Sequence, residues 1–166
     1  MKNKLVSRMT LIALLTALCC VLRVAFVEFP NVKPITALFF AFSIYIGFYD
    51  SLAIMSLTML LTGMLLGFSP IIIGQILVYA VLILIFKGFS KVNAGPIFLS
   101  IISAILALVF GFLISLFSGL LYGFGSGGFI AYWLAGLPFD AAHALSTLIF
   151  YPIVIIILQR TKALKK

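Results

Sequence analysis

Asp140 and His143 stand three residues apart in "GLPFDAAHALSTLIFYP" (136–152), a spacing that sets both on one face of a helix. A carboxylate beside an imidazole can serve as a proton relay, as a binding pair or as a structural contact, and the spacing alone leaves all three open. The pair stands out because the chain has only three acids, Glu28, Asp50 and Asp140, and one histidine. Such an inventory cannot furnish a multi-ligand zinc site of the usual kind, so no metal centre is expected. There is no phosphate-cradling loop of the G-x-x-x-x-G-K-[ST] type, and the serines lack a base at matching depth. Catalysis is therefore not expected, and neither is ATP hydrolysis by this chain. Further polar side chains that could join Asp140 and His143 are Arg23, then Asn31, Lys33 and Thr36 in "VEFPNVKPITALFF" (27–40), then Gln75 and Tyr79, then Tyr132 and Trp133 in "YGFGSGGFIAYWLAG" (122–136).

The elements that must position these groups follow from composition. The chain has 166 residues, 65% of them hydrophobic and 8% charged, with a mean hydropathy of +1.37. A soluble domain of this size keeps too much surface to hide that much apolar area. The apolar runs are continuous rather than alternating, which excludes the short strands of an outer-membrane barrel and predicts helices, whose backbone bonds are satisfied internally. Spans are expected at 9–27, 35–49, 51–67, 70–86, 95–121 and 138–158, giving an all-α membrane protein built as a six-transmembrane-helix bundle in a single domain, 1–166. The first apolar run is too long for a signal h-region and lacks a small-residue cleavage site, so it is read as a retained helix. Cys19 and Cys20 are adjacent inside it and read as packing residues.

Charge supplies the orientation. Of the eleven Lys and Arg residues, Lys2, Lys4 and Arg8 precede the first span, Lys87 and Lys91 separate the fourth and fifth, and Arg160, Lys162, Lys165 and Lys166 follow the sixth. Six spans put all nine on one side, which basic residues mark as cytoplasmic, with both termini there. Topology thus explains the net charge of +8 without a nucleic-acid partner. The polar residues then collect at the outer end, where a mostly apolar concavity with a few convergent polar groups is the usual form of a ligand site. Asn31, Lys33, Thr36, Gln75, Tyr79, Tyr132, Trp133, Asp140 and His143 are the candidate binding residues. Pro30 and Pro34 stiffen the loop that would present Asn31 and Lys33. Taken singly, Lys33 reads better as a solvated loop charge, and Tyr132 and Trp133 serve equally well as interface anchors. Small residues at helical spacing, Ala13 with Ala17 and Gly63 with Gly67, allow close helix approach. Gly119, Gly123 and Gly127 continue that pattern into the last loop.

The segments "RMTLIALLTALCCVLR" (8–23), "PNVKPIT" (30–36) and "GLPFDAAHALSTLIFYP" (136–152) together resemble the substrate-binding S components of energy-coupling factor (ECF) vitamin transporters. The resemblance covers nearly the whole chain. It implies a protein of the bacterial plasma membrane that captures a vitamin at the outer face and topples to deliver it. Its partners would be a transmembrane coupling protein and two ABC ATPases that use the ATP. It also implies that Ala13 and Ala17 form the face that docks the coupling protein, and that "PNVKPIT" closes over the substrate. That loop looks most like the cobalamin branch; pantothenate, folate, pyridoxamine-type or queuosine-type substrates remain open. Nickel or cobalt is disfavoured, because members of that kind carry an N-terminal histidine where this chain reads "MKNK". Two rival classes are an autonomous small transporter or channel, which needs polar groups through the full depth, and a structural or assembly subunit, which leaves the outer polar cluster without a role.

Overall fold

The computed structural model describes residues 2–92 and 95–163. Lys165 and Lys166, counted above among the basic residues, lie outside the described residues. The chain forms α1 (Lys2–Ala25), α2 (Ile35–Tyr45), α3 (Phe48–Leu66), α4 (Ile71–Phe89), α5 (Pro96–Tyr122) and α6 (Gly128–Ala163), with no strand among the described residues. Five of these, all but α2, are long and apolar enough to cross a membrane, the architecture of a multi-pass membrane protein.

The exception is instructive. All residues of α2 from Ile35 to Ser43 are buried, and the helix touches each of the other five. A helix that is apolar all round belongs in the middle of a bundle, and here that middle is protein rather than lipid. Its 11 residues rise about 16 Å, well short of a hydrocarbon core of about 30 Å. The second span expected over 35–49 is therefore a short central pillar, its length set by the helices around it. Phe40 stacks on Phe86 of α4 at 4.6 Å, and Phe86 meets Tyr151 of α6 edge-on at 5.4 Å. The Ser51 hydroxyl donates to the Phe39 carbonyl at 2.8 Å, folding α3 back along α2.

Helix α1 lies at the edge, against α3 and lightly against α2. Arg8 Nε donates to both Asp50 oxygens, at 2.9 and 3.0 Å, tying the second turn of α1 to the first turn of α3. At the same end Lys87 lies 5.3 Å over the Phe48 ring, and Ser90 and Gln159 line one hollow with Tyr45. The helix ends that carry Arg8, Lys87 and Arg160 thus gather at one end of the bundle. Ala13 and Ala17 are exposed on α1, beside Leu14, Leu18 and Val21. Gly63 does pack closely, since a Cβ there would overlap Ile72 of α4, whereas Gly67 ends α3.

Helix α6 differs most from expectation. It begins at Gly128, ten residues before the expected 138, and runs for 36 residues through Pro138 and Pro152. Gly123, Gly125 and Gly128 all take positive φ, which lets the chain reverse within a few residues. A membrane bundle tolerates proline inside a helix where neighbouring groups satisfy the freed carbonyl. Tyr132 and Trp133 are consequently helix residues and not residues of an outer loop.

Because α2 is packed on every side, Phe40→Ala should leave a void that lipid cannot fill, costing about 3–5 kcal/mol. Reversible unfolding in mild detergent measures this; an unchanged midpoint would mean that α2 is not the packed centre.

Candidate functional site

The chain leaves α1 near Arg23 and re-enters the bundle at Ile35, and the connection is a run of turns. The amides of Val27, Phe29 and Val32 donate to the carbonyls of Val24, Phe26 and Phe29. In the last turn Pro30 and Asn31 are the central residues: proline fixes its own φ, and Asn31 sits at φ +57°. Asparagine tolerates this left-handed conformation better than most residues with a side chain, so the P-N pair is conformational as well as polar. Ser146 of α6 then fastens the loop, accepting from the Lys33 amide at 2.9 Å and donating to the Lys33 carbonyl at 3.2 Å.

Beneath this loop is a cavity of about 50 Å³. Thr36, in the first turn of α2, sits at its centre, its hydroxyl 2.7 Å from the Tyr79 hydroxyl of α4 and 2.7 Å from His143 Nε2 of α6. All three side chains are buried, and each needs a partner in a place where water is scarce. Aromatic rings support them: Tyr79 stacks on Phe110 of α5 at 4.2 Å and takes the Phe39 ring edge-on at 5.4 Å, and Phe110 meets the His143 ring edge-on at 5.4 Å. Gln75, one turn before Tyr79, also faces the cavity, as do Asn31 and Lys33 from the loop. Arg23 from α1 and Met59 from α3 complete the wall.

The electrostatics are one-sided. Arg23 Nη1 donates to Met59 Sδ at 2.6 Å, a weak acceptor for a guanidinium, and Arg23 Nε is buried with no partner among the described residues. Gln75 Oε1 is likewise buried without a partner. Burial first, and then the neighbouring Arg23 guanidinium, push the Lys33 ammonium below its ordinary value.

Of the nine expected binding residues, Asn31, Lys33, Thr36, Gln75, Tyr79 and His143 line this one cavity. Tyr132, Trp133 and Asp140 do not. The Tyr132 hydroxyl lies 3.1 Å from Ser118 Oγ of α5, and Trp133 packs edge-on to Phe112 at 5.5 Å. Asp140 presses on Gly111 of α5 so closely that a Cβ there would overlap its carboxyl group, and its Oδ2 is buried without a partner. Positions three apart on a helix differ in direction by about 60°, enough to turn His143 to α2 and Asp140 to α5. The two form no pair.

Arg23 and Ser146 were not among the expected site residues. Arg23 had a readable signal: the positions three and four away within the expected span 9–27, Cys19, Cys20, Phe26 and Val27, hold no acid, so its charge has to find a partner elsewhere. Ser146 acts through the backbone of a residue far off in sequence, and no local pattern announces that.

Thr36→Val should strand two buried polar groups and cost about 1–3 kcal/mol in detergent unfolding, while Thr36→Ser should hold near the parent value. Asn31→Gly should retain stability and Asn31→Val lose about 1–2 kcal/mol, because only the latter resists the left-handed conformation. Equal stability of the glycine and valine forms would sink the turn assignment. Comparison of the chain with protein-family models, with curated proteins and with solved structures finds no match, so its function has to be argued from this cavity and its surroundings.

Proposed function

We propose that the protein is the substrate-capture component of an ECF-type importer, binding a water-soluble vitamin in the cavity under the 26–34 loop and passing it on when docked to an ATP-driven module. The observation that carries this reading is the convergence in one cavity of Asn31, Lys33, Thr36, Gln75, Tyr79 and His143, drawn from four separate segments. In the proposed orientation the end bearing Arg8, Lys87 and Arg160 is cytoplasmic and the cavity faces outward. All six helices count as spans, with α2 traversing only as part of the bundle.

The substrate follows from size and resemblance, which pull apart. The "PNVKPIT" loop resembles that of the cobalamin branch, but a cavity of about 50 Å³ holds on the order of four waters at about 10–15 Å³ each. Cobalamin would require the loop to lift away from Ser146. A compact vitamin such as pantothenate or pyridoxamine needs much less opening, and we rank these ahead of cobalamin and folate.

The rival channel reading is weakened by five of the other buried hydroxyls. Thr58, Thr62, Ser100, Ser103 and Thr147 each donate to a carbonyl three or four residues earlier in their own helix, so they offer no polar lane through the bundle. A structural subunit would have little use for a polar cavity with unpartnered donors and acceptors. The exposed Ala13 and Ala17 on the outer face of α1 suit the close approach of a partner helix, here the coupling protein.

Two variants separate the roles. Ala13→Leu with Ala17→Leu should abolish uptake by membranes that carry the energising module while leaving equilibrium binding within about twofold. Gln75→Ala should weaken binding itself by roughly tenfold or more, the cost of about 1.4 kcal/mol in one contact. If the alanine variant loses binding, that face belongs to the internal core; if Gln75→Ala binds as tightly as the parent, the cavity is not the capture site.

A further inference from the structure

The wall of the cavity contains two cations and no acid. Arg23 and Lys33 both face it, and the three carboxylates of the chain lie elsewhere: Asp50 is engaged by Arg8 at the opposite end, Glu28 is exposed, and Asp140 is turned to Gly111. Arg8 with Asp50 is the only ion pair among the described residues. A guanidinium and an ammonium held at the outer part of a membrane bundle are costly unless something compensates them, and such groups ordinarily pair or face a functional cavity. Here the guanidinium spends one donor on a thioether and buries Nε with nothing to receive it. Across the same small space Gln75 Oε1 has no donor.

Resting on the capture reading above, we infer that the cavity selects a compact carboxylate, its anionic head set between Arg23 and Lys33 and a hydroxyl or amide donor of the same molecule meeting Gln75 Oε1. The chemistry fits both unpartnered atoms. A carboxylate offers two oxygens in the plane that a guanidinium fork matches, so Nε and a terminal nitrogen can donate in parallel in place of the single thioether contact. The second oxygen is open to the Lys33 ammonium. One anion thus relieves the repulsion between two neighbouring cations, a gain that a neutral ligand of the same shape cannot supply. In the neighbouring trio the Thr36 hydroxyl, the Tyr79 hydroxyl and His143 Nε2 are already engaged with one another. A divalent metal or an ammonium-headed ligand would meet like charge.

The test uses matched pairs that differ in charge and hardly in size: pantothenate against panthenol, and nicotinate against nicotinamide. Each is titrated by calorimetry into the full chain in a neutral detergent, with inorganic phosphate, pyridoxamine and cobalamin as further arms. The inference predicts that at least one carboxylate binds one-to-one and at least tenfold tighter than its neutral partner. It also predicts that Arg23→Gln removes that preference while Arg23→Lys keeps part of it. The wild-type pairs decide the matter even if Arg23→Gln fails to fold. Equal binding of a carboxylate and its neutral partner overturns the inference and leaves the capture reading standing, as does binding of pyridoxamine or cobalamin alone. Binding of phosphate without either carboxylate also overturns it, and assigns the two cations to a phosphate group, free or on a lipid. Silence in every arm, from protein shown to be folded, overturns both.

Discussion

The hydroxyl of Thr36 holds three helices in one arrangement. It lies 2.7 Å from both Tyr79 and His143, and all three side chains are buried. Within a membrane bundle the penalty for an unsatisfied polar group acts as a positional constraint, because only one placement of α2, α4 and α6 satisfies all three. The aromatic packing of Phe39, Tyr79, Phe110 and His143 extends the constraint to α5. The buried pillar α2 is what allows it, since Thr36 opens a helix that every other helix touches.

The cavity is a consequence of the same arrangement. The cavity is lined by Thr36 at the start of α2 and by Asn31 and Lys33 of the 26–34 loop that leads into it. Pro30, the left-handed Asn31 and the Ser146 clamp on Lys33 fix the conformation of that loop. A loop of fixed conformation lowers the ordering cost of binding, and a single two-bond clamp is weak enough to be released and remade. Arg23 and Lys33 both face this space, and Arg23 Nε is buried there without a partner among the described residues.

Much of this was legible in the sequence. Six helices follow from six apolar runs, and the convergence of Asn31, Lys33, Thr36, Gln75, Tyr79 and His143 follows from placing polar residues by depth in those runs. Depth, however, does not give direction around a helix. Asp140 has the right depth and points the wrong way, and the i, i+3 rule says only that two positions are near, not that they face one neighbour. Apolar content likewise does not separate a lipid-facing helix from one wrapped in protein, which is why α2 read as a full span. The start of α6 was hidden by its glycines and by Pro138, whose usual meaning in soluble helices is a boundary and whose meaning in a membrane bundle is weaker. Arg23 was visible as an unpaired charge, but its partner space is built by α3, α4 and the loop, none of which is local to it.

The central claim, that this cavity captures a small molecule, is tested most directly by dialysing the purified chain to equilibrium against a small-molecule extract of cells. Native mass spectrometry then weighs the complex. The account predicts one adduct, one per chain, that disappears when the cavity is filled by Gln75→Phe in a protein of unchanged helicity. A folded chain that retains no small molecule, or whose adduct survives that filling, would contradict it.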